Sequence, residues 1–360
     1  MPQSQPDNVT HQSKPVVVIT GGSGLIGTHV LNELGHEYDL VVLDRYPPST
    51  MEDTVHFIST DFTEDDSLAQ ACRQVREEHG SQVASVVHLV AYYDFSGEPS
   101  PLYDKLTVEG TRKFLEQLKA AGLQVKQFVF SSSLLAMKPQ EGKLTEESDT
   151  QAEWAYPQSK LEAEQVIRDE RGDSSIVLLR IAGVYDEKCH SLPLSQQITR
   201  IYEKQLESWV FPGNPKHGQT LIHLDDLARC IKRVIEKRDE LDEEEVFLIG
   251  EPDLLSYGEL QERIGELVHG SEWTTIRIPK AVAKVGAWAK DQFAADDDKP
   301  FIKPWMVDLA DANYDVSIET ARRKLGWEPK HKLADDLPKM IDFLKNDPES
   351  FYETNTLGAS

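Results

Sequence analysis

Cysteine is scarce. The 360 residues hold three, Cys72, Cys189 and Cys230, far apart in the chain. That excludes a disulfide framework and any closely spaced thiolate metal site, and it makes a reducing cytoplasm the expected home. No metal-ligand set is expected elsewhere. Long apolar runs are missing as well. None approaches the roughly 20 residues that span a bilayer, so stable membrane insertion is not expected. The opening MPQSQPDNVTHQ carries no apolar signal core and reads as part of a disordered leader over 1–13. Positive charge is in short supply, with 38 Lys and Arg against 62 Asp and Glu, a formal charge of -24. Such a surface repels a phosphate backbone, so nucleic acid is not an expected partner. The acidic runs EDD (64–66), DELDEEE (239–245) and ADDDK (295–299) read as solvated surface. Internal repeats and low-complexity linkers are absent.

What is there is alternation. Apolar, β-rich runs at 16–20 (VVVIT), 39–44, 55–59, 85–91 (SVVHLVA), 127–133 (QFVFSSS) and 175–181 are separated by helical stretches near 24–35, 65–79, 102–121 and 153–171. Strands alternating with helices of this length predict βαβ units and an α/β, Rossmann-type doubly wound parallel sheet. We expect this nucleotide-binding domain over 14–185, with 219–250 (TLIHLDDLARC and EVFLIG) returning to it. A smaller C-terminal substrate-binding lobe is expected from 186–218 and 251–346, followed by a tail over 347–360. In 279–293, Val282, Val285, Trp288, Ala289 and Phe293 fall at helical spacing, which predicts packing into that lobe. An entrance or membrane-surface helix is the alternative.

The stretch TGGSGLIG (20–27) sits between the first strand and the first helix. Amides at a helix N-terminus lack partners and attract a pyrophosphate. Gly21 can make the tight turn, Gly24 the close backbone approach and Gly27 the helix–sheet contact, with Leu25 and Ile26 between them. Asp44 ends the second strand about 20 residues on, where a carboxylate binds ribose hydroxyls and repels a 2′-phosphate. NAD is therefore expected rather than NADP, although Arg45 next to it could pair with that phosphate. Asp61, followed by Phe62, comes after the third strand, where it can either meet the adenine or cap the next helix.

YPQSK (156–160) opens a helix, since Pro157 is tolerated only in a first turn. Tyr156 and Lys160, four apart, share a helical face. A free tyrosine of pKa about 10 is almost wholly protonated at neutral pH, and a neighbouring ammonium favours its phenolate. Ser131, Ser132 and Ser133 end a strand at its C-terminal edge, where ligands bind in such sheets. A hydroxyl there can hold a substrate oxygen while Tyr156 moves the proton.

TGGSGLIG, Asp44, HLVA (88–91), SSS and YPQSK together resemble the extended short-chain dehydrogenase/reductase superfamily, in particular the NAD-dependent epimerase/dehydratase family. LLRIAGVYDE (178–187), IHLDDLA (222–228) and KLGWEP (324–329) extend the resemblance over nearly the whole chain. It implies Ser133 as the catalytic hydroxyl, Tyr156 as acid/base and Lys160 as the residue that binds ribose and lowers the tyrosine pKa. It also implies cofactor contacts at Leu89, Val90, Ala91 and Thr107, a small-molecule substrate, and a possible homodimer.

The departures narrow the chemistry. Thr107 replaces the family's usual Asn, and Ala136-Met137-Lys138 replaces its VYG. Leu134-Leu135 stand where dehydratases carry an acid pair, so dehydration is not expected. The family's nucleotide-sugar enzymes place an Arg four residues before the His of IHLDD to bind diphosphate; here that residue is Gln219. AYYDFSGEP (91–99) looks more like the 3β-hydroxysteroid dehydrogenase branch. The expectation is an NAD-dependent oxidoreductase acting on a secondary alcohol or ketone. A nucleotide-sugar epimerase that recycles its own NAD is the alternative, and a non-catalytic NAD sensor a third.

Overall fold

Seven strands build the central sheet: β1 (Val16–Thr20), β2 (Asp39–Asp44), β3 (Val55–Ser59), β4 (Ser85–His88), β5 (Gln127–Ser133), β6 (Ser175–Ile181) and β7 (Glu244–Ile249). They are hydrogen-bonded in the order β3-β2-β1-β4-β5-β6-β7, and every pairing is parallel. This computed structural model describes residues 14–49, 55–94, 97–293 and 302–355. The leader, the ADDDK run and residues 95–96 of AYYDFSGEP lie outside them.

Both faces of the sheet are buried, which is why the strands are continuous apolar runs rather than alternating ones. In β1, Val17 and Ile19 enter one core with α1 (Leu25–Leu34) and α6 (Leu224–Glu236). Val16 and Val18 enter the other, with α2 (Asp65–His79), α3 (Glu109–Ala120) and α4 (Ala155–Glu170). The strand order reverses between β1 and β4, and a crevice at the carboxyl end of such a switch point is where ligands bind.

Three elements differ from expectation. The strand predicted to reach residue 91 stops at His88. The Thr20 hydroxyl accepts the Leu89 and Val90 amides at 3.2 and 3.4 Å, which draws the chain out of the ladder and across the glycine loop. The helix predicted over 102–121 begins as a π-helical turn, Tyr103–Val108, before α3. The 220–230 segment does not rejoin the main sheet: Leu221–His223 pairs with Gly183–Tyr185 in a separate ribbon, and α6 follows.

A third core, made by Leu194 and Ile198 of α5 (Leu192–Tyr202), Ile264 of α7 (Tyr257–His269) and Leu337 and Met340 of the helix Leu333–Asn346, forms the smaller lobe. The stretch expected as a tail contributes to it, because Pro348–Asn355 is helical and Phe351 is fully buried. The expectation for 279–293 needs the opposite correction. Helix α8 (Lys280–Phe293) leaves Val282, Val285 and Trp288 at 58, 65 and 54% exposure. It is held instead by ion pairs from Lys280 to Asp311 and Lys284 to Asp308; the side chain of Phe293 is outside the described set. Among the described residues, no helix is long and apolar enough to cross a membrane.

Candidate active site

The site starts at the glycine loop. Gly21 has a φ of +72°, and a Cβ there would lie 3.2 Å from the Val90 amide nitrogen. A Cβ on Gly27 would meet the Gly21 carbonyl oxygen at 2.3 Å, so the first turn of α1 can sit against the loop only without a side chain. That turn begins at Gly24 with no side-chain cap and no acidic residue. Its amides are left for an anion. Asp44, at the end of β2, accepts the Ser23 amide (3.0 Å) and hydroxyl (2.5 Å) on one oxygen and the Arg45 amide (2.7 Å) on the other. A rigid carboxylate thus stands beside an uncapped helix start, which fits an adenosine ribose next to a pyrophosphate.

The neighbouring residues separate into those that face this crevice and those that shape it. Leu25 is 38% exposed at the helix start, and Ile26 packs on the core below. Leu89 and Val90 pass over Gly21, with Ala91 next in line, part-buried. Asp61 caps locally, accepting the Thr63 amide and hydroxyl at 2.8 and 2.7 Å and Arg45 at 3.0 Å. Arg45 is thereby turned toward Asp61. The Phe62 ring is in the core against Phe114, leaving its main chain for any ligand. Thr107 is fully buried, and its hydroxyl accepts the Tyr92 amide at 3.0 Å.

The three serines have three jobs. Ser131 donates to the His88 carbonyl and Ser132 to Glu164, at 3.2 and 2.6 Å. Ser133 stands near enough to Tyr156 to pull the phenol pKa down, and its oxygen accepts the Leu135 amide at 3.2 Å. Lys160, 3% exposed, donates to the Ser131 carbonyl at 2.7 Å, with its ammonium 5.8 Å from the Tyr156 ring centre. Burial pushes the Tyr156 phenol up to about 12, against the pull of Ser133, and pushes Lys160 down to about 7. Without a second positive charge nearby, the tyrosine stays protonated.

Two supporting networks were not foreseen. Glu164 continues the Tyr156–Lys160 face by one more turn. It is wholly buried and bound by Arg180 of β6 through Nε (3.1 Å) and Nη2 (2.8 Å). The spacing Tyr156, Lys160, Glu164 was a usable signal; its partner on β6 was not. Beneath the loop, His88 bridges the hydroxyls of Thr20 (2.8 Å) and Thr111 (2.9 Å). Burial, assisted by Lys160, lowers its pKa to about 3, so it is neutral.

Aromatic rings line the mouth. Tyr93 lies 5.0 Å and Trp154 5.5 Å from the Tyr156 ring, and Trp305 lies 5.2 Å beyond Trp154. Gly97, with a φ of +75°, lets Trp305 approach: a Cβ there would be 2.5 Å from the indole. Gln219 is part-buried, and next to it His217 already engages the Asp311 carbonyl and Glu141.

The model of the NAD dependent epimerase/dehydratase family matches residues 17–250. The chain belongs to this family. Its relatives divide between two chemistries. UDP-glucose 4-epimerase of Bacillus subtilis is 28% identical over 347 residues, 88% of this chain and 93% of the relative. The decarboxylating sterol-4-alpha-carboxylate 3-dehydrogenase of Saccharomyces cerevisiae is 21% identical, over 91% of this chain and 97% of its own. Human 3 beta-hydroxysteroid dehydrogenase type 7 is 24% identical, over 91 and 95%. Among solved structures, MoeE5 in complex with UDP-glucose and NAD superposes with a TM-score of 0.66 at 21% identity, covering 92% of this chain and 99% of that one. NAD is the cofactor of the family, and the crevice described above fits it.

Proposed function

We propose that this family member is an NAD-dependent oxidoreductase that interconverts a secondary alcohol and a ketone carried on a large apolar framework. Bound NAD supplies the hydride acceptor. Tyr156 takes the proton from the substrate hydroxyl as the C–H hydride leaves, and returns it in the reverse direction. Ser133 holds the substrate oxygen at the tyrosine. Lys160, in its protonated form, favours the phenolate and reaches toward the ribose, while Gly21, Gly24 and Gly27 with the start of α1 hold the pyrophosphate and Asp44 the adenosine ribose. Leu89, Val90 and Ala91 wall the cofactor. Asp61, with Arg45, supports the adenine side.

The observation that carries this reading is the aromatic lining of Tyr93, Trp154 and Trp305 around Tyr156. Flat apolar rings favour an apolar substrate face, whereas a nucleoside diphosphate needs cations. The Gln219 position adds to it, and the two steroid and sterol dehydrogenases that align over nearly the whole chain agree with it. The test is turnover: fused-ring secondary alcohols should yield reduced NAD, and UDP-glucose should yield neither reduced NAD nor UDP-galactose. Epimerisation of UDP-glucose without substrate-dependent NAD reduction would replace this reading with the second one, a nucleotide-sugar epimerase, which the Bacillus subtilis relative favours.

A further inference from the structure

At the opposite, N-terminal edge of the sheet, away from Tyr156, Asp39 opens β2, His56 is the second residue of β3, and His79 is the last residue of α2. The register explains why they meet. Val41 pairs with His56, so Asp39, Val41 and His56 share one face of the sheet, the face that α2 covers. Leu68, Cys72, Val75 and His79 follow one another at helical spacing down the buried stripe of α2, so the imidazole ends that stripe directly over Asp39.

We propose that Asp39, His56 and His79 form a binding site for a divalent transition cation of the zinc class. One donor atom of each residue lies within 4.8 Å of the others. The carboxylate divides its oxygens, Oδ2 lying 2.8 Å from His79 Nδ1 and Oδ1 3.5 Å from His56 Nε2. Ligands about 2.0–2.2 Å from a tetrahedral ion stand about 3.3–3.5 Å apart, so modest side-chain movement closes the set. His56, half exposed, is free to turn, and its ring already meets that of His79 edge-on at 4.6 Å.

The His79 side chain is 5% exposed, and its Nε2 is buried with no hydrogen-bond partner. Nδ1 is the His79 nitrogen that faces Asp39, so an ion shared by Nδ1, Asp39 and His56 Nε2 would take the place of the His79–Asp39 hydrogen bond. Two imidazoles and one carboxylate suit zinc, nickel, cobalt or copper rather than magnesium or calcium. Water completes the coordination.

The other candidate group, Glu187, His223 and His331, lacks this geometry. Its two imidazoles are stacked 3.8 Å apart and inclined by 13°, so their in-plane lone pairs cannot converge on one ion.

An ion at Asp39 would clip together β2, β3 and α2, the elements whose other ends carry Asp44 and Asp61. It would act on stability, outside the hydride chemistry. The experiment is calorimetric titration and thermal unfolding of the full chain, free of any oligohistidine tag and stripped with chelator, against zinc chloride and magnesium chloride. Zinc should bind one per chain and raise the melting temperature by about 2–4 °C at a hundredfold excess over its Kd, and magnesium should do neither. His56→Gln, on an exposed side chain, should weaken zinc at least tenfold, as should His79→Gln if it folds, and His331→Gln should leave binding unchanged. No zinc binding by the wild-type chain, undiminished binding by His56→Gln, or its loss in His331→Gln would overturn the proposal.

Discussion

Lys160 donates to the carbonyl oxygen of Ser131 at 2.7 Å, reaching from the second turn of its helix to the last strand residues before the candidate catalytic hydroxyl. This bond fixes α4 against the end of β5 and brings Tyr156 to Ser133. The proposed proton-transfer pair is thereby positioned through a main-chain atom. Tyr156→Phe removes only the phenolic oxygen. Turnover should fall by about 10²–10⁴-fold while the Kd for NAD stays within about threefold, as measured by steady-state rates and calorimetry.

The Glu164–Arg180 pair holds the same helix from below. Glu164→Ala leaves a buried guanidinium uncompensated and should cost about 3–5 kcal/mol in denaturant unfolding. Replacing both partners with apolar residues of similar size should cost less than that single change. A double-mutant cycle reads the difference.

His88 makes the fold acid-sensitive. Its folded pKa is about 3, and its ordinary value is 6.5. Between these values the unfolded chain binds one more proton than the folded one, so stability falls as pH falls through this window and is fully present above it. The loss is on the order of 4 kcal/mol by pH 3. His88→Gln, which can still bridge Thr20 and Thr111, should show a slope of unfolding free energy against pH that is shallower by about one proton.

Gly97 sets the depth of the aromatic mouth. Gly97→Ala places a methyl 2.5 Å from the Trp305 ring at a φ that alanine disfavours. The indole that packs on Trp154 must shift. KM for an apolar substrate should rise severalfold with a smaller change in kcat, and the KM for NAD should hold.

Local pattern made much of this molecule legible. The glycine loop, Asp44 and the YPQSK helix each carry their chemistry within a few residues, and the parallel sheet follows from apolar runs buried on both faces. The misses come from contacts between distant segments. The partner of Glu164 is on a strand 16 residues away, and Trp305 joins Trp154 from 151 residues further along the chain. Periodicity placed α8 in a helix but could not say which face would be buried. The ion pairs to Asp308 and Asp311 decided that, leaving its valines in solvent. Three consecutive serines look alike by local pattern; the family resemblance singles out Ser133, and in the fold the three differ in partner, Ser131 bonding the His88 carbonyl and Ser132 Glu164.

The most direct measurement gives the NAD-loaded protein a fused-ring secondary alcohol and UDP-glucose in parallel, following cofactor reduction and sugar products over the same period. Reduction of NAD with the alcohol, abolished in Tyr156→Phe, and no change to the sugar nucleotide are the expected results. Formation of UDP-galactose with no net reduction of NAD by any alcohol would contradict the proposed function.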